Sequence, residues 1–396
     1  MNSEEVHESD SKLPIKKKFS IRELGGAFGD WGTLIPFIIG YVSIVGLNPA
    51  GIFLTLGITN IILGVRFNLP LPVQPQKTIG AIALSQKWDP NLVISTGLGT
   101  GIIWTILGLT KTLNKIVKKI PIITVRGIQL GLGLILGWTA ITLIFYDNFF
   151  GILLGIISIS IIIALINSKK VPSAIILVLL GIGILIFTNK LTISNVRFSL
   201  PIFEFNIPQW ENLLIGMVLA GIAQLFLTLT NVMIATISLI KDLFPEKKNE
   251  ISANSLAVNM GLMNLINPFL GGMPLCHGSG GLAAQYAFGA RSGGSMILEG
   301  ILEIFLGLFF SETLFLLFIE FPQAIFGAML LYTSYLLIRI SFKDYKLKSL
   351  PIIITSGMIC IIFHIIFKNS IIGSFSIILG FFVGLILYLI FSKRLN

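Results

Sequence analysis

Charge is scarce in this chain. Asp, Glu, Lys and Arg make up 12% of 396 residues, about half the roughly 25% of a soluble domain. That excludes a large soluble helical core, whose helices would carry polar faces at helical period. Cysteine is almost missing: Cys276 and Cys360 both sit in apolar surroundings, which excludes a disulfide framework and offers no metal-ligand spacing. Histidine is equally thin, with His7, His277 and His364 scattered along the chain. No metal and no cofactor are therefore expected, and a membrane-embedded enzyme would lack converging groups. The first 20 residues place Glu4, Glu5, Glu8 and Asp10 before Lys16, Lys17 and Lys18, without the apolar core or cleavage site of a signal peptide. The first membrane helix is expected to direct insertion itself.

What is abundant is apolar. Hydrophobic residues make up 54% of the chain, in recurrent runs of about 18–20, the length that crosses roughly 30 Å of hydrocarbon. Runs and breakers define about fourteen segments. The first seven are 24–45, 49–66, 74–86, 91–110, 122–146, 149–167 and 171–188. The second seven are 211–240, 252–271, 275–288, 293–318, 322–340, 350–367 and 370–391. The third and tenth are too short to span alone. With the N-terminus inside, the outer stretches hold only four basic residues, Lys87, Lys190, Arg197 and Lys368. The inner stretches collect Lys16–Lys18, Lys111, Lys115, Lys118, Lys119, Lys169, Lys170, Lys241, Lys247, Lys248, Arg339, Lys343, Lys346, Lys348, Lys393 and Arg394. This is the positive-inside pattern, so the net charge of +10 calls for no nucleic-acid partner. Both termini are expected in the cytoplasm and the chain in the cell membrane. The organisation expected is a cytoplasmic tail (1–20), a first membrane repeat (21–190), an outer linker (191–210) and a second repeat (211–396).

The two halves read alike when Pro72 is placed over Pro274. Leu71-Pro72-Val73-Gln74-Pro75-Gln76-Lys77 then faces Met273-Pro274-Leu275-Cys276-His277-Gly278-Ser279, and upstream Gly57 to Asn60 resembles Gly261 to Asn264. Seven segments per half is an odd number, so the halves must be inverted relative to each other. Inverted repeats, each interrupted by Pro and Gly at the same place, point to a secondary transporter with its site near the midplane. A helix that begins inside the membrane leaves N–H groups unpaired at its positive end. Two such ends meeting make an anion site.

Polar residues inside the bilayer are functional candidates by default. Lys77 lies on the first broken segment with Thr78 beside it, and Lys77 is either bait for an anion or a lysine that snorkels or pairs with a carboxylate. Gln74 and Gln76 flank the break, and Gln74 could donate amide hydrogens to an oxyanion. His277, Gly278 and Ser279 form the second break, where His277 is either functional or a satisfied structural group. Gln224, Thr228, Thr230 and Asn231 draw a polar stripe on segment eight, lining the site or gluing helices. Asp30 carries a coupling proton, pairs with Lys77 or orients glycine-rich packing. Glu299 and Glu303, one helical turn apart, either relay protons or pair with Arg291 or Arg126.

At these residues the chain resembles the molybdate transporter family, related to the sulfate permeases. The resemblance lies in Gly-Ala-Phe-Gly-Asp-Trp-Gly-Thr-Leu-Ile-Pro (26–36), Asn-Pro-Ala-Gly (48–51), Leu-Pro-Val-Gln-Pro-Gln-Lys (71–77), Ala-Gln-Leu-Phe-Leu-Thr-Leu-Thr-Asn (223–231), Asp-Leu-Phe-Pro-Glu (242–246) and the run from Met273 to Gly294. It implies an all-α integral membrane fold of seven-plus-seven inverted repeats with two broken half-helices, like the sulfate and uracil permeases. It also implies uptake of molybdate, a tetrahedral dianion. The first oxyanion motif falls on Gln74, Gln76 and Lys77, and the second on His277, Gly278 and Ser279. The chain departs from the family pattern at Gln76 for Met, Trp31 for Leu and Ser279 for Ala, which leaves sulfate or another small anion as the alternative substrate. Proton coupling is the expected energy source. The oligomeric state stays open, a homodimer included.

Overall fold

A computed structural model describes residues 17–113, 121–145, 149–166, 168, 171–201, 205–247, 250–343, 347–367 and 375–395. The N-terminal tail through Lys16 lies outside the described residues, as do Lys115, Lys118, Lys119, Lys169, Lys170, Lys248, Lys346, Lys368 and the side chains of Lys393 and Arg394.

The first half contains α1 (Ile21–Val45), α2 (Pro49–Phe67), β1 (Val73–Pro75), α3 (Lys77–Gln86), α4 (Pro90–Leu109), α5 (Ile122–Phe145), α6 (Phe149–Leu165) and α7 (Ser173–Phe187). The second contains α8 (Trp210–Leu243), α9 (Ala253–Ile266), β2 (Leu275–His277), α10 (Ser279–Ala287), α11 (Gly294–Phe309), α12 (Ser311–Ile319), α13 (Gln323–Ser341), α14 (Leu350–Ile366) and α15 (Ser376–Leu395). Local chemistry sets the ends. Gly46 closes α1 in the left-handed region at φ 86°. Asn48 then caps α2 by accepting from Ala50 N at 2.9 Å, with Pro49 at the first helical position. Asp89 caps α4 through Leu92 N at 3.0 Å, again before a proline.

Among the described residues, seven helices are long and apolar enough to cross a membrane. They are α1, α2, α4, α5, α8, α13 and the helix that contains α14. The short third and tenth segments are half-helices of 10 and 9 residues. The segment expected as one span over 293–318 is instead two helices, α11 and α12, bent by 89°. The bend sits at Phe310, whose backbone leaves the helical region (φ −128°, ψ 16°) and whose ring packs edge-on against Phe198 of the linker at 5.8 Å. The linker itself is irregular and lies along the helix ends: Ser199 N donates to Phe309 O and Asn206 N to Phe269 O.

Packing between the halves is reciprocal. The second helix of the first half, α2, lies along α11, the fourth segment of the second half. Conversely α4 lies along α9, the fourth along the second. The fifth segments, α5 and α13, pack on each other, and the strands of the two third segments pair. Small residues allow these approaches, as membrane helices require. A Cβ on Gly57 would lie 2.5 Å from Gly300 O, and one on Gly300 would lie 2.5 Å from Gly57 O. Around α5 and α13 gather α6, α7, α14 and α15, while α1 to α4 and α8 to α12 form a second group that holds both half-helices.

Valine at Gly57 or Gly300 should force α2 from α11 and destabilise the protein by ~1–3 kcal/mol. Alanine at Gly25, where a Cβ meets nothing within 4 Å, should not. Thermal unfolding of the detergent-purified variants checks both.

Candidate functional site

The two breaks meet as a strand pair. β1 and β2 run antiparallel with Val73 opposite His277, Gln74 opposite Cys276 and Pro75 opposite Leu275. Pro72 and Pro274 hold the lead-ins extended, and Gln76 N donates to Pro274 O at 2.9 Å. Both half-helices start on the positions matched by the proline alignment, Lys77 and Ser279. Neither N-cap residue, Gln76 or Gly278, caps with its own side chain. Two positive helix ends therefore open beside each other inside the membrane group.

Helix α8 faces these ends. It winds as π-helix over Met217–Gly221 and Leu229–Thr236, a feature frequent at functional sites. Gln224 Oε1 accepts from Thr78 N at 2.8 Å, and Gln224 Nε2 donates to Thr228 Oγ1 at 2.9 Å. Asn231 Oδ1 accepts from Ser279 Oγ at 3.0 Å. A narrow cavity of about 10 Å³, room for about one water, is lined by Lys77, Gln224, Leu227, Thr228, Asn231, Val232 and Cys276. Of the expected site residues, Lys77, Gln224 and Thr228 line it, while Thr78 and Ser279 touch residues that do. Gly278 sits where a Cβ would strike Gln74 Oε1, and a Cβ on Gly281 would lie 2.9 Å from Asp30 Oδ1. Close approach of the strands and α10 to these side chains depends on both glycines.

Three expected ligands turn elsewhere. Successive strand residues face opposite ways: Cys276 lines the cavity, and His277 points to α9, with Nε2 2.8 Å from Asn259 Oδ1. Gln76 Nε2 donates to Thr100 Oγ1 at 2.9 Å and Leu275 O at 3.1 Å, which ties β2 to α4. Gln74 has both amide hydrogens engaged, donating to Asp30 Oδ1 and to Thr33 Oγ1. It offers its oxygen to Lys77 Nζ at 3.3 Å instead of hydrogens to an anion.

The carboxylates of α11 bond to neutral side chains. Glu299 accepts from Trp31 Nε1 and Gln285 Nε2, each at 2.9 Å, and Glu303 accepts from Asn60 Nδ2 at 2.7 Å. Arg291 is occupied by Tyr286 O and Ala290 O, with its guanidinium 3.6 Å over the Tyr286 ring. Arg126 reaches Ile340 O at 2.8 Å. Asp30 meets Lys77 through Gln74 and not as a direct ion pair. Sequence reasoning missed Thr33, Thr100, Asn259 and Gln285. Only Thr33, one helical turn beyond Asp30, carried a local signal. Among the described residues no group of His, Cys, Asp or Glu is placed to hold a metal ion.

Solved structures share this architecture. The transmembrane domain of a cyanobacterial bicarbonate transporter, BicA, superposes with a TM-score of 0.63 at 14% identity, covering 92% of this chain and 96% of that one. The murine Slc26a9 anion transporter in its inward-facing state superposes with a TM-score of 0.67 at 12% identity, covering 96% of this chain and 70% of that one. The fold is that of these multi-pass membrane transporters. Residues 22–136 and 216–337 match the family profile described as "Molybdate transporter of MFS superfamily". Molybdate transporter 2 of Arabidopsis thaliana is 31% identical over 97% of this chain and 89% of its own length. Molybdate transporter 1 of the same plant is 30% identical over 83% and 81%. The chain belongs to the molybdate transporter family.

Replacing Lys77 with Ala should weaken molybdate binding at least tenfold, which is ~1.4 kcal/mol. Calorimetric titration of the purified protein measures it, and an unchanged affinity would remove Lys77 from the site.

Proposed function

We propose that this chain imports molybdate as a secondary active transporter, by alternating access around an oxyanion site between the starts of α3 and α10. The observation that carries this reading is the meeting of two half-helix N-termini with Lys77 at one cavity. A tetrahedral dianion suits that set: the backbone N–H groups that open α3 and α10, a lysine ammonium, and the Ser279 hydroxyl. Gln224 and Thr228 complete it from α8. Gln74, Gln76 and His277 brace the site and do not touch the anion.

Residues 21–190 and 211–396 act as two inverted repeats about the 191–210 linker, a reading supported by the reciprocal packing of the halves. The group around α5 and α13 rocks against the group that carries the half-helices. Import is coupled to protons, with Asp30, Glu299 and Glu303 as the candidate carriers. All three are buried, and among the described residues their hydrogen bonds come from neutral side chains, where an uncompensated ionised carboxylate is costly. The distribution of Lys and Arg supports a cell-membrane protein with both termini cytoplasmic.

A second reading keeps fold and site but takes sulfate as the substrate. It is favoured by the donors themselves, which recognise charge and tetrahedral shape, properties both oxyanions share. Labelled molybdate uptake into proteoliposomes, competed with excess sulfate, decides between them: uptake should persist under sulfate, and its abolition by sulfate would favour the second reading.

A further inference from the structure

We propose that Asp30 is the group that takes up a proton when an oxyanion binds, linked to the substrate lysine through the amide of Gln74. This deepens the proton-coupled reading above and rests on it.

The orientation of Gln74 is set by chemistry. The Lys77 ammonium can only donate, so the Gln74 atom facing it at 3.3 Å must be the amide oxygen. The amide nitrogen is then turned to Asp30 Oδ1 and Thr33 Oγ1. Thr33 Oγ1 in turn donates to Asp30 Oδ1 at 2.9 Å. A flipped amide would set its N–H groups against the ammonium and its oxygen against the carboxylate. Lys77 and Asp30 thus hold Gln74 between them, cation on its oxygen and anion on its nitrogen. In the empty site Asp30 balances the charge of Lys77 through one side chain.

Asp30 is also the carboxylate equipped to respond. It is 2% exposed, and its second oxygen, Oδ2, has no hydrogen-bond partner among the described residues. Glu299 differs, because Trp31 and Gln285 engage both of its oxygens. Glu303 keeps one bare oxygen, but its hydrogen-bond partner is Asn60 on α2, and no bond connects it to Lys77. The charged and titratable groups around Asp30 are Lys77 from α3, Glu299 and Glu303 from α11 and Cys276 from β2. On the α10 side it meets Gly281. Lys77 is the cation of this set, and the carboxylate its charge acts on is Asp30. A dianion that draws the Lys77 ammonium to itself takes that cation from Gln74 and leaves Asp30 uncompensated. A proton from solution then converts the Asp30 carboxylate to the acid, and its release accompanies release of the anion.

The test is calorimetric titration of the full chain with molybdate and, separately, with sulfate, in buffers of different ionisation enthalpy. The dependence of heat on buffer gives the protons taken up per anion. The wild type should take up on the order of one. Asp30→Asn should bind the anion without proton uptake, and Glu299→Gln and Glu303→Gln should retain it. Gln74→Leu leaves Asp30 in place but cuts the link, and should lose the uptake while staying folded by thermal unfolding; it carries the test if Asp30→Asn does not fold. Undiminished uptake in Asp30→Asn or Gln74→Leu, loss of it in Glu299→Gln or Glu303→Gln, or anion binding by the wild type with no proton uptake would each overturn the proposal. Binding of sulfate but not molybdate would overturn the substrate reading alone, since the proton count is then taken on sulfate. Binding of neither overturns both.

Discussion

Everything at the centre of this protein hangs on six residues of strand. Backbone that leaves a helix inside a membrane must find partners within the protein, and here the two breaks supply them to each other. The pairing of Val73–Pro75 with Leu275–His277 spends the polar groups of both lead-ins and fixes where each half-helix begins. Neighbouring helices reinforce it. Asn264 on α9 closes a two-way bond with Leu275, donating to its carbonyl at 2.6 Å and accepting from its N–H at 2.8 Å. Gln76 binds the same carbonyl and Thr100. The buried polar residues thus divide into those that hold the strands and those left to face the cavity.

The two half-helices share geometry and differ in chemistry. Lys77 and Ser279 occupy matched first positions, one a full charge and the other a hydroxyl. Helix α8 answers each with a different amide, Gln224 at Thr78 and Asn231 at Ser279. Under the proposed function, substrate preference is drawn from that asymmetry. A site with lysine at both ends would hold a dianion with more charge and less demand on its shape.

Much of the scaffold was legible in the residues. Pro72 and Pro274, with glycine and polar residues after them, announced two breaks at matching places, and both helix starts fall on the aligned positions. Apolar runs located the helices because the bilayer fixes their length. The bend at Phe310 was not legible, since it depends on a ring contact from a linker a hundred residues away. Side-chain direction was the harder part. His277 adjoins the break and read either as functional or as a satisfied structural group, and a strand of unknown register left open which of Cys276 and His277 would face the cavity. Gln74 read as a donor to an anion, and only the meeting of Asp30 from α1 with Lys77 from α3 reveals that its hydrogens are spent. Partners so distant in sequence leave no local pattern.

The transport cycle proposed above also requires a return without cargo, and a bare N–H buried at the start of α3 would be costly there. The Gln224 side-chain carbonyl accepts from the Thr78 N–H at 2.8 Å, so that donor is satisfied from within the protein. Binding is then an exchange of one oxygen for another. Under that proposal the exchange lowers the grip on the cargo and eases the return, so that turnover gains what affinity gives up.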